Sequence, residues 1–159
     1  MAKLALLCAL FVLPAIAVAA RPTRHPLLVT GKVYCDPCRA GFETSASTFI
    51  AGAKVKVECR DRQTMKVLYT REASTDSTGT YVIPVNEDHE DQLCDAILVS
   101  SPHPTCRIPS AGRDKARVIL TRYNGLATDD RFANNMGYTT EQPMAGCNQI
   151  LQQYQELDD

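Results

Sequence analysis

Six cysteines remain in this 159-residue chain once its first twenty residues are set aside: Cys35, Cys38, Cys59, Cys94, Cys106 and Cys147. An even set at wide spacing in a short exported chain points to disulfide staples rather than to thiol chemistry, because an oxidising compartment drives thiols to pair. The seventh, Cys8, lies in the leader. Cysteine arithmetic alone leaves fifteen pairings open.

Export is read from residues 1–20. Lys3 supplies the positive start, Leu4 through Val18 is an apolar run interrupted by Pro14, and small residues offer cleavage after Ala19 or Ala20. The rival reading, a membrane anchor, is disfavoured because the run is short for a hydrocarbon core and no basic stop-transfer cluster follows it directly. No membrane insertion is expected elsewhere, and the expected location is the extracellular space or the cell wall. Residues 21–159 are expected to form one disulfide-stabilised domain with a mobile tail from about 148 as one option. Loss of Lys3 leaves 16 basic against 18 acidic residues, a net charge of −2. That balance argues against a mainly electrostatic nucleic-acid binder, which needs clustered positive charge.

The mature chain reads as short strands. In Ala53-Lys54-Val55-Lys56-Val57-Glu58-Cys59 the apolar residues and Cys59 share one face and the charged residues the other. Period two predicts a half-buried strand with the Cys59 sulfur turned inward. Further strands are expected at 28–34, 66–70, 80–85, 96–99 and 117–121, with a turn at Asp76-Ser77-Thr78-Gly79. Tyr81, Ile83 and Val85 share a face; Pro84 donates nothing to a ladder, so its strand should be at an edge, bulged or finished there. Asn148–Leu157 reads equally as a helix, with Ile150, Leu151 and Tyr154 on one side, or as a frayed tail. With no βαβ alternation, the expected architecture is all-β: an antiparallel barrel or sandwich.

No catalytic, metal or cofactor site emerges. Cys35-Asp36-Pro37-Cys38 has redox-motif spacing, but the pair ends a β-run instead of opening a helix beside a parallel sheet, so two structural half-cystines bonded elsewhere are the better reading. Zinc on four thiolates would compete poorly with oxidation. His89 sits in the acidic run Asn86–Asp91, which reads as a solvated loop because its spacing does not reproduce that of cation-binding loops. There is no HExxH, GxSxG or phosphate-cradling loop, and no serine with a matched base. Asn-x-Ser/Thr is also absent, so N-glycosylation is not expected.

Six tyrosines and no tryptophan remain as the aromatic signal. Tyr34, Tyr69 and Tyr81 are expected at core edges with satisfied hydroxyls. Tyr123 and Tyr138, in less regular sequence, are expected to face a partner. The candidate recognition surface comprises Tyr123, Tyr138, Glu43, Asp88 and His89, and the polar loops around 43–48, 86–91 and 124–131 are the expected contact regions.

Val33-Tyr34-Cys35-Asp36-Pro37-Cys38-Arg39 closely resembles the opening signature of the olive major pollen allergen family. The likeness continues through Gly31, Gly52-Ala53, Cys59, Thr75-Asp76-x-x-Gly79-x-Tyr81 and Cys147, covering roughly residues 27–150, with monocot pollen members most similar. The resemblance implies a compact β-domain pinned by Cys35–Cys106, Cys38–Cys147 and Cys59–Cys94. It also implies a non-enzymatic role in pollen-tube growth, hydration or pollen–stigma recognition, with human IgE and pollen-tube, stigma or cell-wall proteins as partners. Family members often carry an N-glycan in the segment matching 42–47, where this chain has Ser45 and no acceptor. Two other functions remain open: a small-ligand or wall-polysaccharide module using Tyr123 and Tyr138, and a protease inhibitor presenting Ser101–Arg107.

Overall fold

The computed structural model describes residues 25–155. The expected leader at 1–20 lies outside them, as do the last four residues. Ten strands and one helix follow in order: β1 Leu27–Asp36, β2 Thr48–Phe49, β3 Lys54–Asp61, β4 Val67–Ser74, β5 Thr80–Val85, β6 Gln92–Ser100, β7 Ile108–Pro109, β8 Lys115–Val118, β9 Asp130–Phe132, β10 Met136–Thr139 and α1 Cys147–Gln155.

They form two sheets. The smaller is antiparallel throughout, in the order β4-β3-β6-β8. The larger is organised by β1, which changes partners midway. Residues 27–32 pair with β5, and residues 28–30 also lie parallel to β9. Residues 34–35 pair with β2, while residues 33–36 lie parallel to β10, which in turn pairs with β7.

An antiparallel barrel is thus corrected to one antiparallel and one mixed sheet that do not close on each other. Parallel strands need a long crossover. Here the chain comes to lie parallel to β1, as β9 and β10, only after completing the smaller sheet, so strands form the crossover instead of a helix. The rule that no βαβ alternation means no parallel pairing failed for that reason.

The core is one cluster drawn from both sheets. It includes Leu27, Val29 and Val33 of β1, Val55, Val57 and Cys59 of β3, Tyr81, Ile83 and Val85 of β5, and Ala96 and Leu98 of β6. The alternation in β3 and β5 therefore aims as expected, with the Cys59 sulfur inside. β5 pairs only with β1, so Pro84 sits in an edge strand, where its missing N–H costs no ladder bond on the open side. The expected turn forms, with the Asp76 carboxylate accepting from the Thr78 amide at 2.8 Å and the Thr80 amide at 3.0 Å.

Glu58 adds a detail to the polar face of β3. It is buried there, because Lys56 and Arg60, two residues to either side on the same face, close over it at 2.6 and 2.5 Å. The expectation of satisfied tyrosine hydroxyls is corrected: those of Tyr69 and Tyr81 are buried without a partner. Apolar packing of the rings outweighs the unmade bond.

Three disulfides close the structure: Cys35–Cys106, Cys38–Cys147 and Cys59–Cys94. These are the pairs that the family resemblance implies. Cys35 and Cys38 belong to separate staples. Cys59 and Cys94 face each other in the β3–β6 ladder. Cys38–Cys147 fastens the first residue of α1 to the segment after β1. Of the two readings of residues 148–157, a helix is present as far as Gln155. Its Tyr154 packs edge-on against Phe42 at 5.2 Å, and the Tyr154 hydroxyl accepts from the Ser45 amide at 3.0 Å.

Candidate recognition surface

The five residues singled out from sequence do not converge. Tyr123 is 70% exposed, in the segment between β8 and β9, as expected of a contact residue. Glu43 is also exposed and accepts a bond from the Asn135 side-chain amide. Asp88 is exposed, yet its carboxylate is occupied with shaping the chain. It accepts from the Glu90 amide at 3.0 Å, the Thr121 hydroxyl at 3.2 Å and the Arg122 amide at 3.1 Å. Partial burial pushes the Asp88 pKa up, but these three donors outweigh it and leave the value lowered.

His89 and Tyr138 are corrections. His89 is 5% exposed; its ring lies 4.6 Å from that of Tyr69, and its Nδ1 is 3.1 Å from Gln92 Oε1. The acidic residues around it do face water, and the imidazole is drawn in by the aromatic surface behind it. His89 also lies near the Cys59 and Cys94 sulfurs, with the three potential ligand atoms within 4.8 Å of one another. Both sulfurs are spent in the S–S bond, so no thiolate is offered to a metal.

Tyr138 is 1% exposed, because β10 is flanked by β1 on one side and β7 on the other. Burial pushes its phenol up to about 12. A four-residue strand carries no readable period, which is why its sequence looked irregular.

The Ser101–Arg107 segment is tied to itself. His103 Nδ1 accepts from the Cys106 amide at 3.0 Å, and Arg107 Nε donates to the His103 carbonyl at 2.8 Å. Pro104, Thr105 and Arg107 line an open groove together with Thr140 and Glu141.

Sequence reasoning missed an apolar groove on the segment that carries Tyr123. Ile119, Leu126 and Phe132 line an open cavity of about 400 Å³ and are 61%, 56% and 77% exposed. Ile119, one residue past β8, continues the outward alternation of Lys115 and Arg117, an apolar residue at a polar-face position. β9 inverts the usual polarity: Asp130 and Phe132 point outward, and Arg131 points inward with 4% exposure. That inversion was available in the sequence had β9 been recognised as a strand. Contiguous exposed apolar side chains of this size mark contact sites.

Arg131 holds the segment in place. Its Nη1 donates to the Thr128 and Asp130 carbonyls at 2.6 and 2.8 Å, and its Nη2 to the Thr121 carbonyl at 2.9 Å. The neighbouring Arg122 pairs with Asp129 and donates to the His25 carbonyl, binding the same segment to the start of β1.

Comparison with known proteins places these features in context. Residues 25–155 match the family described as "Pollen protein Ole e 1 like". The chain is 40% identical to Pollen-specific protein C13 of Zea mays over 98% of its own length and 91% of that protein's. It is 42% identical to Pollen allergen Phl p 11 of Phleum pratense, over 82% of this chain and 92% of the relative. Protein DOWNSTREAM OF FLC of Arabidopsis thaliana is 43% identical over 95% of this chain and 90% of its own. Among solved structures, the Major Plantain Pollen Allergen Pla l 1 superposes with a TM-score of 0.66 at 29% identity, covering 76% of this chain and 98% of that one.

Proposed function

This chain belongs to the Ole e 1-like family of pollen proteins, a non-enzymatic family, and from that membership we propose that it is an exported pollen protein that acts by surface recognition. Export is supported by the leader at 1–20, with cleavage after Ala19 or Ala20, and by the three disulfides. The mature protein is then the single domain 21–159, in the extracellular space or the cell wall. Amino-terminal sequencing of the exported protein tests this: a start at Ala20 or Arg21 supports it, and an intact leader overturns it.

One observation carries the recognition role. Ile119, Leu126 and Phe132 line one open groove, and Tyr123 on the same 119–132 segment is also exposed, on a scaffold closed by three covalent bonds. Tyrosine and large apolar residues at such a site supply contact area with little entropy to lose. The partners we propose are pollen-tube, stigma or cell-wall proteins for the plant role. Homology to proteins named as pollen allergens supports human IgE binding.

The test is a pull-down from pollen and stigma extracts with disulfide-intact protein and with the Tyr123→Ala/Phe132→Ser variant, alongside IgE binding in sera of pollen-sensitised donors. Specific capture that the variant loses supports the surface. Capture unaffected by the variant moves the surface elsewhere, and absence of both capture and IgE binding overturns the recognition role.

A further inference from the structure

Asn124-Gly125 is the one Asn-Gly pair in the chain. Asparagine is among the chemically labile residues, because the main-chain nitrogen that follows it can attack its side-chain carbonyl carbon. A glycine in the following position has no β-carbon to crowd that approach. A folded chain suppresses the reaction when it holds the attacking nitrogen, the departing amide or the loop itself. None of these restraints is present here among the described residues.

Gly125 is exposed, and a β-carbon placed on it would meet nothing within 4 Å, so the segment has room to bend. The Gly125 amide donates to no described residue, which leaves the nucleophile free to lose its proton. The Asn124 side-chain nitrogen, the group that must leave, is likewise unbonded among the described residues. The single bond that this side chain makes favours reaction. The Leu126 amide donates to Asn124 Oδ1 at 3.1 Å. That oxygen takes up negative charge as the nitrogen adds, and a backbone donor already aimed at it stabilises the charge. Asn135 shows the opposite arrangement: its side-chain nitrogen is held by Glu43, and Met136 follows it.

We propose that Asn124 is a site of spontaneous deamidation, and that its conversion adds an acidic group to the apolar groove. The Gly125 nitrogen loses its proton to water and bonds to Asn124 Cγ. The Cγ–Nδ2 bond then breaks, and the amide leaves as ammonia after taking a proton from water. A second water opens the resulting cyclic imide at one of its two carbonyls, giving aspartate or isoaspartate. Asn124 lies in the lining of the groove with Ile119, Leu126 and Phe132, and Asp130 is in the same lining. The product therefore brings a second carboxylate to that lining. The isoaspartate form also inserts a methylene into the main chain before Gly125 and displaces Leu126. The bearing on recognition rests on the role proposed above, whereas the reaction needs no partner and is read without one.

The test is incubation of the exported, disulfide-intact protein in neutral and in mildly alkaline buffer, followed by peptide mapping with mass spectrometry. The peptide carrying residue 124 is expected to gain one mass unit and to be labelled by a methyltransferase specific for isoaspartate. Asn86, Asn134, Asn135 and Asn148 should remain intact over the same period. Conversion should be faster in the alkaline buffer, because attack needs the deprotonated amide. Gly125→Ala should slow it several-fold through the crowding of its β-carbon.

The reduced, unfolded chain sets the reference rate, and the folded protein should match it. ¹H–¹⁵N spectra of the aged protein should show altered amide signals at Ile119 and Leu126. Asn124 staying intact while another asparagine converts, or converting only in the unfolded chain, overturns the proposal. Unaltered Ile119 and Leu126 signals in fully converted protein overturn the effect on the groove.

Discussion

Gly31 and Tyr81 face each other across the β1–β5 ladder, and the tyrosine ring fills the space that a side chain on Gly31 would need. A β-carbon on Gly31 would sit 2.5 Å from the Tyr81 hydroxyl oxygen and 2.8 Å from its Cζ. The second half of β1 repeats the device with the roles exchanged. Tyr34 on β1 covers Gly137 on β10, where a β-carbon would come within 2.7 Å of the tyrosine Cζ. One strand is thus fastened in both halves by a tyrosine laid over a glycine, a known means of pinning register.

Gly31→Ala is therefore expected to destabilise the fold by about 1–3 kcal/mol, the usual cost of overpacking a filled core. The ring it meets is held in a fully buried position, so little relaxation is available. Urea unfolding of wild type and variant measures the effect. Equal midpoints would show that the ring moves aside freely.

The opposite sign is expected for Tyr81→Phe. The Tyr81 hydroxyl is buried without a partner, so its removal should be neutral or stabilising by up to about 1 kcal/mol. The alkaline limb follows from the same burial. Burial raises the pKa values of Tyr81, Tyr138 and Tyr34, the second to about 12. A raised folded value means that stability is complete below the unfolded value near 10 and is lost as pH rises through the folded value. Absorbance titration at 295 nm should show part of the tyrosine signal appearing only together with unfolding.

At acid pH the responsive group is Glu58. The Lys56 ammonium bonded to it lowers its pKa first; burial opposes this and Arg60 adds to the lowering. A lowered folded value places the stabilisation above the ordinary carboxylate range and removes it as pH falls through the folded value. Because Lys56 and Arg60 are partly solvated, the contribution is modest, about 0.5–1 kcal/mol. Glu58→Gln should lower stability by that amount at pH 7 and by less at pH 2, since the wild-type carboxyl takes up its proton as pH falls through the folded value. Denaturant midpoints at the two pH values test the difference, and a variant equally destabilised at both would implicate shape instead of charge.

Removal of Cys38–Cys147 as Cys38→Ser/Cys147→Ser should release α1 while leaving both sheets in place. Among the α1 residues, only Cys147 is fully buried, and the remaining hold is Tyr154 against Phe42 and Ser45. A loss of about 2–4 kcal/mol is expected. Hydrogen exchange should accelerate across Cys147–Gln155 and the 42–47 segment. Uniform acceleration through β3 and β6 would show that the staple supports the whole core.

Legibility in the sequence followed element length. The period-two segments of β3 and β5 announced themselves, and so did the inward aim of Cys59. β2, β7, β9 and β10 have two to four residues each and are strands because a neighbour supplies their hydrogen bonds. Two errors about the site trace to this. Sequence alone puts Tyr138 at the surface because β10 carries no readable period, and it passes over Phe132 because β9 carries none. His89 was misplaced for a different reason, since only the folded chain sets Tyr69 beside it.

By itself the sequence determined an all-β domain held by six paired cysteines, its family, and which faces of the longer strands point inward. These follow from composition and from alternation along single segments, which are local properties. The tertiary structure alone decided that β1 runs parallel to β9 and β10, that Glu58 and His89 are hidden, and that Ile119, Leu126 and Phe132 line one groove. Those outcomes depend on partners far apart in the chain. No single segment encodes which neighbour it will find once long connections have closed.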